Sequence, residues 1–300
     1  MQIGDYTNER EPVIKWNASD NLAGIHFFRF QVNETIINKT FGPDVFSYSF
    51  IVNASTTYNI TIIAYDKAGN KASRTRIIHF DFVPPDICIT YPRETLYINE
   101  PNSTVMLQWE ASDNISLETI IVKINKDGQI ETVALAPTQR QYLLSLDGEG
   151  IYNVTVTAKD TAGNERSDNV AIIVDLAPPI LQGIIPDNWS AFNTPMVYLA
   201  YVAVDYLSGV FYVEIFVDAF YLTTLYNSTG SVPISNITQN KPGEGIHNIT
   251  LKIVDHAGNA LIVTLYIYYD VTEPECAIFE PSSEEAVSYT HLRAHETEAD

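Results

Sequence analysis

The sequence predicts an all-β chain of tandem seven-stranded antiparallel β-sandwiches, and three observations carry that prediction. Apolar and polar residues alternate over short runs, and no ten-residue segment shows a 3.6-residue period. Turn and junction landmarks recur every 94 or 95 residues. The composition, 46% hydrophobic and 11% aromatic, gives each period enough apolar side chain to bury a core, despite a net charge of −20. A length of 300 residues accommodates two or three domains, since single cores usually close at roughly 100 to 150.

The period is read from independent landmarks. Ala68-Gly69-Asn70, Ala162-Gly163-Asn164 and Ala257-Gly258-Asn259 each follow an aspartate, Asp66, Asp160 and Asp255. Pro84-Pro85, Pro178-Pro179 and Glu273-Pro274 each follow Asp81, Asp175 and Asp270 by three residues. Trp16 with Ala18-Ser19-Asp20-Asn21 matches Trp109 with Ala111-Ser112-Asp113-Asn114, and Tyr201 with Ala203 and Asp205 is the third copy. The expected division is repeat one at 1–83, lacking its opening strand, repeat two at 84–177, repeat three at 178–272, and the start of a fourth at 273–286. Residues 287–300 resemble a translated sequencing adapter and are set apart from the fold as an artefactual tail, which removes His291 and His295 from consideration as ligands.

Repeat two shows the elements in order. Its opening strand, Ile87–Tyr91, lies between Pro85 and Pro92, and the second, Val105–Glu110, carries Trp109. Thr119–Asn125 and Ile130–Leu135 flank Asp127-Gly128, a turn pair, and Gln141–Leu146 stops at Asp147-Gly148. Along Tyr152–Lys159, residues 152, 154, 156 and 158 face one way and Asn153, Thr155 and Thr157 the other, as in a half-buried strand. Val170–Val174 closes the repeat before the next aspartate and proline pair.

A tryptophan on the second strand (Trp16, Trp109) and a tyrosine opening the sixth (Tyr58, Tyr152) resemble fibronectin type III-like sandwiches. With no inter-sheet cystine, an antibody-type domain does not fit. The Asp-x-x-Pro-Pro junction and the Asp-x-Ala-Gly-Asn turn are similar to tandem immunoglobulin-like repeats of bacterial and archaeal surface adhesins. The resemblance covers 1–286; repeat three departs with Tyr201 for the tryptophan and His247, read as a core residue, for the tyrosine.

Composition and motif content exclude several functions. Seventeen Lys and Arg against 37 Asp and Glu repel phosphate backbones, so nucleic acid is not an expected partner. His26, His79, His247 and His256 have no nucleophile motif or ligand spacing, and no catalytic residue is expected. Cys88 and Cys276 are expected to be single buried thiols.

The aspartates are the informative group. Asp66, Asp160 and Asp255 each open a tight turn, where a carboxylate accepts backbone N–H bonds, and that role alone would explain them. Sandwich topology also places two loops and the domain entry at one end. This would gather Asp81, Asp86, Asp113, Asn114 and Asp160 at the first junction, and Asp175, Asp205 and Asp255 at the second, as oxygen ligands for Ca²⁺. Cadherins and calcium-dependent adhesins resemble this arrangement, although no Asp-x-Asn-Asp-Asn linker is present. No other cofactor is expected.

Twelve of the 22 asparagines stand in Asn-x-Ser/Thr, where chance would give roughly three. Asn59, Asn153 and Asn248, at one strand position in three repeats, are the candidate glycosylation sites of an extracellular or cell-surface chain. Repeat three holds 14 aromatic residues against five in repeat two, which suits domain packing or a glycan or protein partner. The expected function is a non-catalytic stalk or adhesion array that meets a cell-surface protein or glycan, with any membrane anchor outside the fragment. The alternatives are accessory modules of a secreted hydrolase, with the catalytic domain elsewhere, and a receptor ectodomain.

Overall fold

The computed structural model describes residues 5–194, 197–234 and 243–277. All regular structure there is β, in six sheets, and no sheet is shared between repeats.

Repeat two has eight strands: β8 (Asp86–Tyr91), β9 (Leu96–Ile98), β10 (Thr104–Ser112), β11 (Leu117–Lys126), β12 (Gln129–Leu135), β13 (Gln141–Ser145), β14 (Gly150–Asp160) and β15 (Glu165–Val174). They form a three-stranded sheet, β13-β10-β8, facing a five-stranded sheet, β12-β11-β14-β15-β9. Between the sheets, Trp109, Leu107, Ile120, Val122, Val154, Val156 and Ile172 are buried together. The alternation read along β14 holds, with Tyr152, Val154, Val156 and Ala158 facing the core.

The strand absent from the sequence reading is β9, which pairs parallel with β15, Ile172 opposite Leu96. Three residues are too few to show alternation, and only the uncovered edge of β15 makes them a strand. The sandwich is thus antiparallel except at this edge.

Repeat one contains β1 (Asp5–Thr7), β2 (Val13–Lys15), β3 (Ile25–Val32), β4 (Ile37–Phe41), β5 (Ser47–Ser49), β6 (Thr56–Asp66) and β7 (Lys71–Phe80). β1 pairs parallel with β7, so it is the counterpart of β9. The counterpart of β8 is the one without an equivalent among the described residues: β2 and β5 make a two-stranded sheet.

Repeat three contains β16 (Ile180–Ile185), β17 (Ser190–Phe192), β18 (Tyr198–Val204), β19 (Val210–Val217), β20 (Phe220–Leu225), β21 (Thr229–Pro233), β22 (Gly245–Asp255) and β23 (Ala260–Tyr269). Its sheets, β16-β18-β21 and β17-β23-β22-β19-β20, repeat the order of repeat two. Its two departures in sequence are accommodated locally. Tyr201 fills the tryptophan position, 3% exposed, and its hydroxyl donates to the Asn227 carbonyl at 3.1 Å. Gly230 makes room for that ring, since a Cβ there would lie 2.7 Å from it and 2.6 Å from Leu225. His247 is buried, and its Nε2 lies 3.1 Å from the Gly243 carbonyl, the same four-residue reach that carries the Tyr152 hydroxyl to Gly148.

Both cysteines are free and exposed, which corrects the expectation of buried thiols. On β8 the inward positions belong to Ile87 and Ile89, so the pleat turns Cys88 outward.

Two substitutions test this packing. Trp109→Ala is expected to cost about 3–5 kcal/mol, by losing the largest buried side chain of repeat two, and chemical denaturation followed by circular dichroism will read it. Gly230→Ala forces a methyl group against the Tyr201 ring and should cost about 1–3 kcal/mol, read as a lower Tm.

Candidate metal centre at the repeat junctions

The turn between the last two long strands of each repeat is built the same way three times. The glycines have φ of +90° (Gly69), +93° (Gly163) and +94° (Gly258), a conformation that favours glycine. In repeat two, Asp160 Oδ1 accepts the backbone N–H groups of Ala162 and Asn164 at 2.9 and 2.8 Å. Its Oδ2 accepts the Asn164 side-chain amide at 2.7 Å. That amide also donates to the backbone carbonyl of Asp81, in the preceding linker, at 3.0 Å. Asn259 does the same at the next joint, donating to Asp255 Oδ2 at 2.8 Å and to the Asp175 carbonyl at 2.9 Å. The final asparagine of the motif therefore ties its turn to the repeat before it. Sequence reasoning missed this role, although the invariance of Asn164 and Asn259 across the internal repeats was the available signal.

The linker aspartates are held as firmly. Asp81 N–H donates to the Thr7 carbonyl at 3.0 Å and Asp175 N–H to that of Ile98 at 2.8 Å, so each linker is anchored to its own repeat. Asp81 Oδ1 accepts Val83 N–H at 3.1 Å, and Asp175 Oδ1 accepts Ala177 N–H at the same distance. The third aspartate caps the loop after the second long strand: Asp113 Oδ1 accepts Ile115 and Ser116 N–H, both at 2.8 Å. Asp205 Oδ1 accepts Ser208 and Gly209 N–H at 2.9 and 2.7 Å. Ser208 N–H also donates to Asp175 Oδ2 at 3.0 Å, a second tie across that joint.

Three carboxylates converge at each joint. Asp81, Asp113 and Asp160 each offer an oxygen within 4.8 Å of the others, and so do Asp175, Asp205 and Asp255. Asp81, Asp160, Asp175 and Asp255 are at most 1% exposed, with Asp113 and Asp205 half-buried. No described Lys or Arg forms an ion pair with any of the six; the described pairs are Lys159–Glu118, Arg166–Asp86, His247–Asp218 and Lys252–Glu214. Asp113 Oδ2 is buried without a hydrogen-bond partner.

Two of the residues expected at the first joint are placed differently. Asp86 is exposed on β8 and forms an ion pair with Arg166, on β15 of the facing sheet. Asn114 presents its amide nitrogen to Asp81 Oδ1, at 3.5 Å, rather than its carbonyl oxygen. Repeat one carries two of the three carboxylates at its own entry. Asp20 Oδ2 accepts the N–H groups of Leu22, Ala23 and Gly24, and Asp66 holds Asn70.

Asn59 and Asn153 are exposed and Asn248 is half-buried, all on the outward side of their strands, as alternation requires. At the second joint, Tyr97 stacks on His256 at 5.1 Å, and His256 lies 4.9 Å from Phe211, so part of the aromatic excess packs between repeats. Trp189, stacked on Tyr266, remains half exposed, as do Phe220 and Tyr221. The tail at 287–300 and most of the fourth-repeat segment lie outside the described residues.

Removing the bridging amide by Asn164→Ala takes away bonds to Asp160 and to the Asp81 carbonyl, and should cost about 1–3 kcal/mol and loosen the first joint. NMR relaxation should show repeats one and two tumbling more independently. The Asp66 carboxyl sits below its ordinary range, chiefly through the Asn70 side-chain amide, which opposes a smaller effect of burial. Its folded value being the lower one, this turn's contribution is present above about pH 4 and is lost as pH falls through that value. In Asn70→Ala, NMR titration should find the Asp66 carboxyl moved up toward the usual range.

No family model matches the chain. Bacillopeptidase F of Bacillus subtilis (strain 168) is 25% identical over 181 residues, covering 60% of this chain and 12% of that relative, so the chain spans a small part of its length. Among solved structures, the fibronectin(III)-like modules of Clostridium thermocellum CbhA align with a TM-score of 0.34 and 14% identity, over 65% of this chain and all of theirs (100%). A tetra-tandem repeat from the extending region of a large adhesion protein aligns at 0.33 with 18% identity, over 90% of this chain and 75% of that one. A Ca²⁺-stabilized adhesin with which an Antarctic bacterium binds ice aligns at 0.31 with 16% identity, over 86% and 68%. In fold, the chain is a tandem array of all-β sandwich modules, each with its own sheets.

Proposed function

We propose that the chain is a non-catalytic spacer or adhesion array of an extracellular or cell-surface protein, and that Ca²⁺ bound between consecutive repeats sets its stiffness. The observation that carries the calcium reading is the paired trio of aspartates, repeated at both joints, with the buried Asp113 Oδ2 left without a partner. Carboxylates this close raise one another's free energy unless a cation joins them. Oxygens within 4.8 Å of one another fit one ion bonded to each at about 2.3–2.6 Å. Because each trio draws ligands from a linker and from two loops of the following repeat, an ion there would fix one repeat's angle to the next.

The folding units of this reading are 1–83, 84–177 and 178–272, each a cooperative sandwich. The outward asparagines Asn59, Asn153 and Asn248 would carry glycans on the sheet faces. The partner would be a cell-surface protein or glycan. A second reading, accessory modules of a secreted hydrolase, is favoured by the Bacillopeptidase F similarity. It shares the joint mechanism and differs in what lies beyond this segment.

Calcium at about a hundredfold over its Kd should stabilise the repeats by about 2.7 kcal/mol, raising Tm by roughly 10 °C. Small-angle scattering should show a longer particle with calcium than with a chelator. Asp160→Asn should weaken the effect at the first joint and leave the second intact. Unchanged melting and scattering at millimolar calcium would leave the aspartates as turn caps only.

A further inference from the structure

Repeat three differs from its siblings on the outer face of its five-stranded sheet. Asn59, Asn153 and Asn248 share one outward strand position, and the residue opposite on the next strand is Ile77, Ala171 and Tyr266 in turn. Only repeat three sets an aromatic ring beside this asparagine. Trp189 stacks on Tyr266, with ring centroids 4.9 Å apart and planes 13° from parallel, and Tyr268 meets Trp189 at 5.6 Å. The 94-residue offset from Pro92 to Pro186 gives repeat two Thr95 in place of Trp189. Trp189 is 49% exposed, Tyr268 40% and Tyr266 38%, and Ile246, opposite Tyr268, is 56% exposed. Together they make an apolar platform turned away from the core.

The backbone holds this platform in place. Trp189 N–H donates to the Tyr266 carbonyl at 2.6 Å, and Asn188 Oδ1 accepts the Tyr266 N–H at 2.8 Å, so the turn before β17 is fastened to β23 at Tyr266 itself. Trp189 has φ of +69°, a left-handed conformation that a large side chain adopts only against steric opposition. Such strain persists where surrounding bonds enforce it, and it points to a position whose side-chain direction matters.

Tyr266 stands between two neighbours. In the sheet order β17-β23-β22, Trp189 meets its ring from the β17 side, and Asn248 lies opposite it on β22. Asn248 opens the sequon Asn248-Ile249-Thr250. Its main chain is fixed at both polar atoms, the N–H donating to Asp218 Oδ1 and the carbonyl accepting the Asp218 N–H, each at 2.9 Å. Directly opposed residues on neighbouring strands have Cβ atoms roughly 4.5–5.5 Å apart, so a group attached to the Asn248 amide begins beside the Tyr266 ring.

We propose that the occupant of this platform is the glycan on Asn248, whose first sugar packs its flatter C–H face on Tyr266, on the side away from Trp189. This rests on Asn248 carrying a glycan. Attachment forms a bond from Asn248 Nδ2 to the anomeric carbon of an activated donor, while a lipid pyrophosphate leaves and the amide gives up one proton. The C–H groups of a pyranose face complement the negative face of an aromatic ring. The covalent link keeps the sugar at high effective concentration, so a stack too weak to capture a free sugar is populated here. Ile77 and Ala171 offer no ring to Asn59 and Asn153, and glycans there extend into solvent.

The test uses the full chain, secreted from cells that add N-linked glycans, with glycopeptide mass spectrometry reading occupancy at Asn248. With Asn248 occupied, Asn248→Gln should shift the unfolding equilibrium of repeat three about fivefold, a fall of roughly 4–8 °C in its Tm. In a Tyr266→Ala background, which supplies the residue of repeat two, the same change should lose most of that effect. If Tyr266→Ala impairs folding, NMR of the unaltered glycoprotein decides the matter. Ring currents should move the first sugar's protons upfield, with nuclear Overhauser effects to the Tyr266 ring. An unoccupied Asn248 removes the glycosylation reading and the proposal with it. An occupied Asn248 whose loss has the same effect in both backgrounds, or sugar protons at their free-solution shifts, overturns the docking alone. So does self-association that Trp189→Thr abolishes, which would give the platform to a second copy of the chain.

Discussion

The structure depends on one asparagine amide per joint. Asn164 and Asn259 each place a single nitrogen between a carboxylate of their own turn and a backbone carbonyl of the preceding linker. An amide nitrogen carries two hydrogens, so it can satisfy both acceptors at once, and the second bond converts a local turn into an inter-repeat clamp. The aspartate it holds is buried by the same act, and so is the linker aspartate opposite. Burial of charge is tolerated because most of the carboxylate oxygens accept N–H bonds, and Asp113 Oδ2, buried without a partner, lies within the trio.

From this clamp follows the behaviour of an array. Each repeat closes its own pair of sheets and shares none with its neighbours, so stability accumulates as a sum of repeat and interface contributions. Each joint gathers three carboxylates, and a clustered-acid joint is more sensitive to its ionic surroundings than an apolar one would be. The second joint adds Ser208 N–H on Asp175 and the Tyr97–His256 stack, so the two joints share a plan and differ in reinforcement.

Repeat three shows how far core chemistry can drift while this plan is kept. Tyrosine replaces tryptophan, with Gly230 yielding space to its ring, and burial pushes the Tyr201 hydroxyl above its ordinary range. Histidine replaces the corner tyrosine and keeps the bond to the carbonyl four residues before it, while its other nitrogen meets Asp218 at 2.7 Å. These exchanges keep the buried volume filled and the polar atoms paired, the two conditions a sandwich core imposes. Repeat one shows the converse: β2 has no strand on its second side among the described residues, and residues that its siblings bury are left partly exposed there.

The sequence by itself determined the periodicity, the β class, the strands long enough to alternate, and the aspartates that meet at each joint. Those features are local or repeat at fixed spacing, so Asp81, Asp113 and Asp160 could be paired with Asp175, Asp205 and Asp255 from register alone. Tertiary structure decided what depends on a neighbour. β9 is a strand because the edge of β15 is there to pair with, Cys88 faces water because Ile87 and Ile89 take the inward positions, and Asp86 leaves the cluster because Arg166 stands beside it. The second hydrogen bond of Asn164 was illegible for the same reason: its acceptor lies 83 residues away, and only folding brings the Asp81 carbonyl within 3.0 Å of that amide.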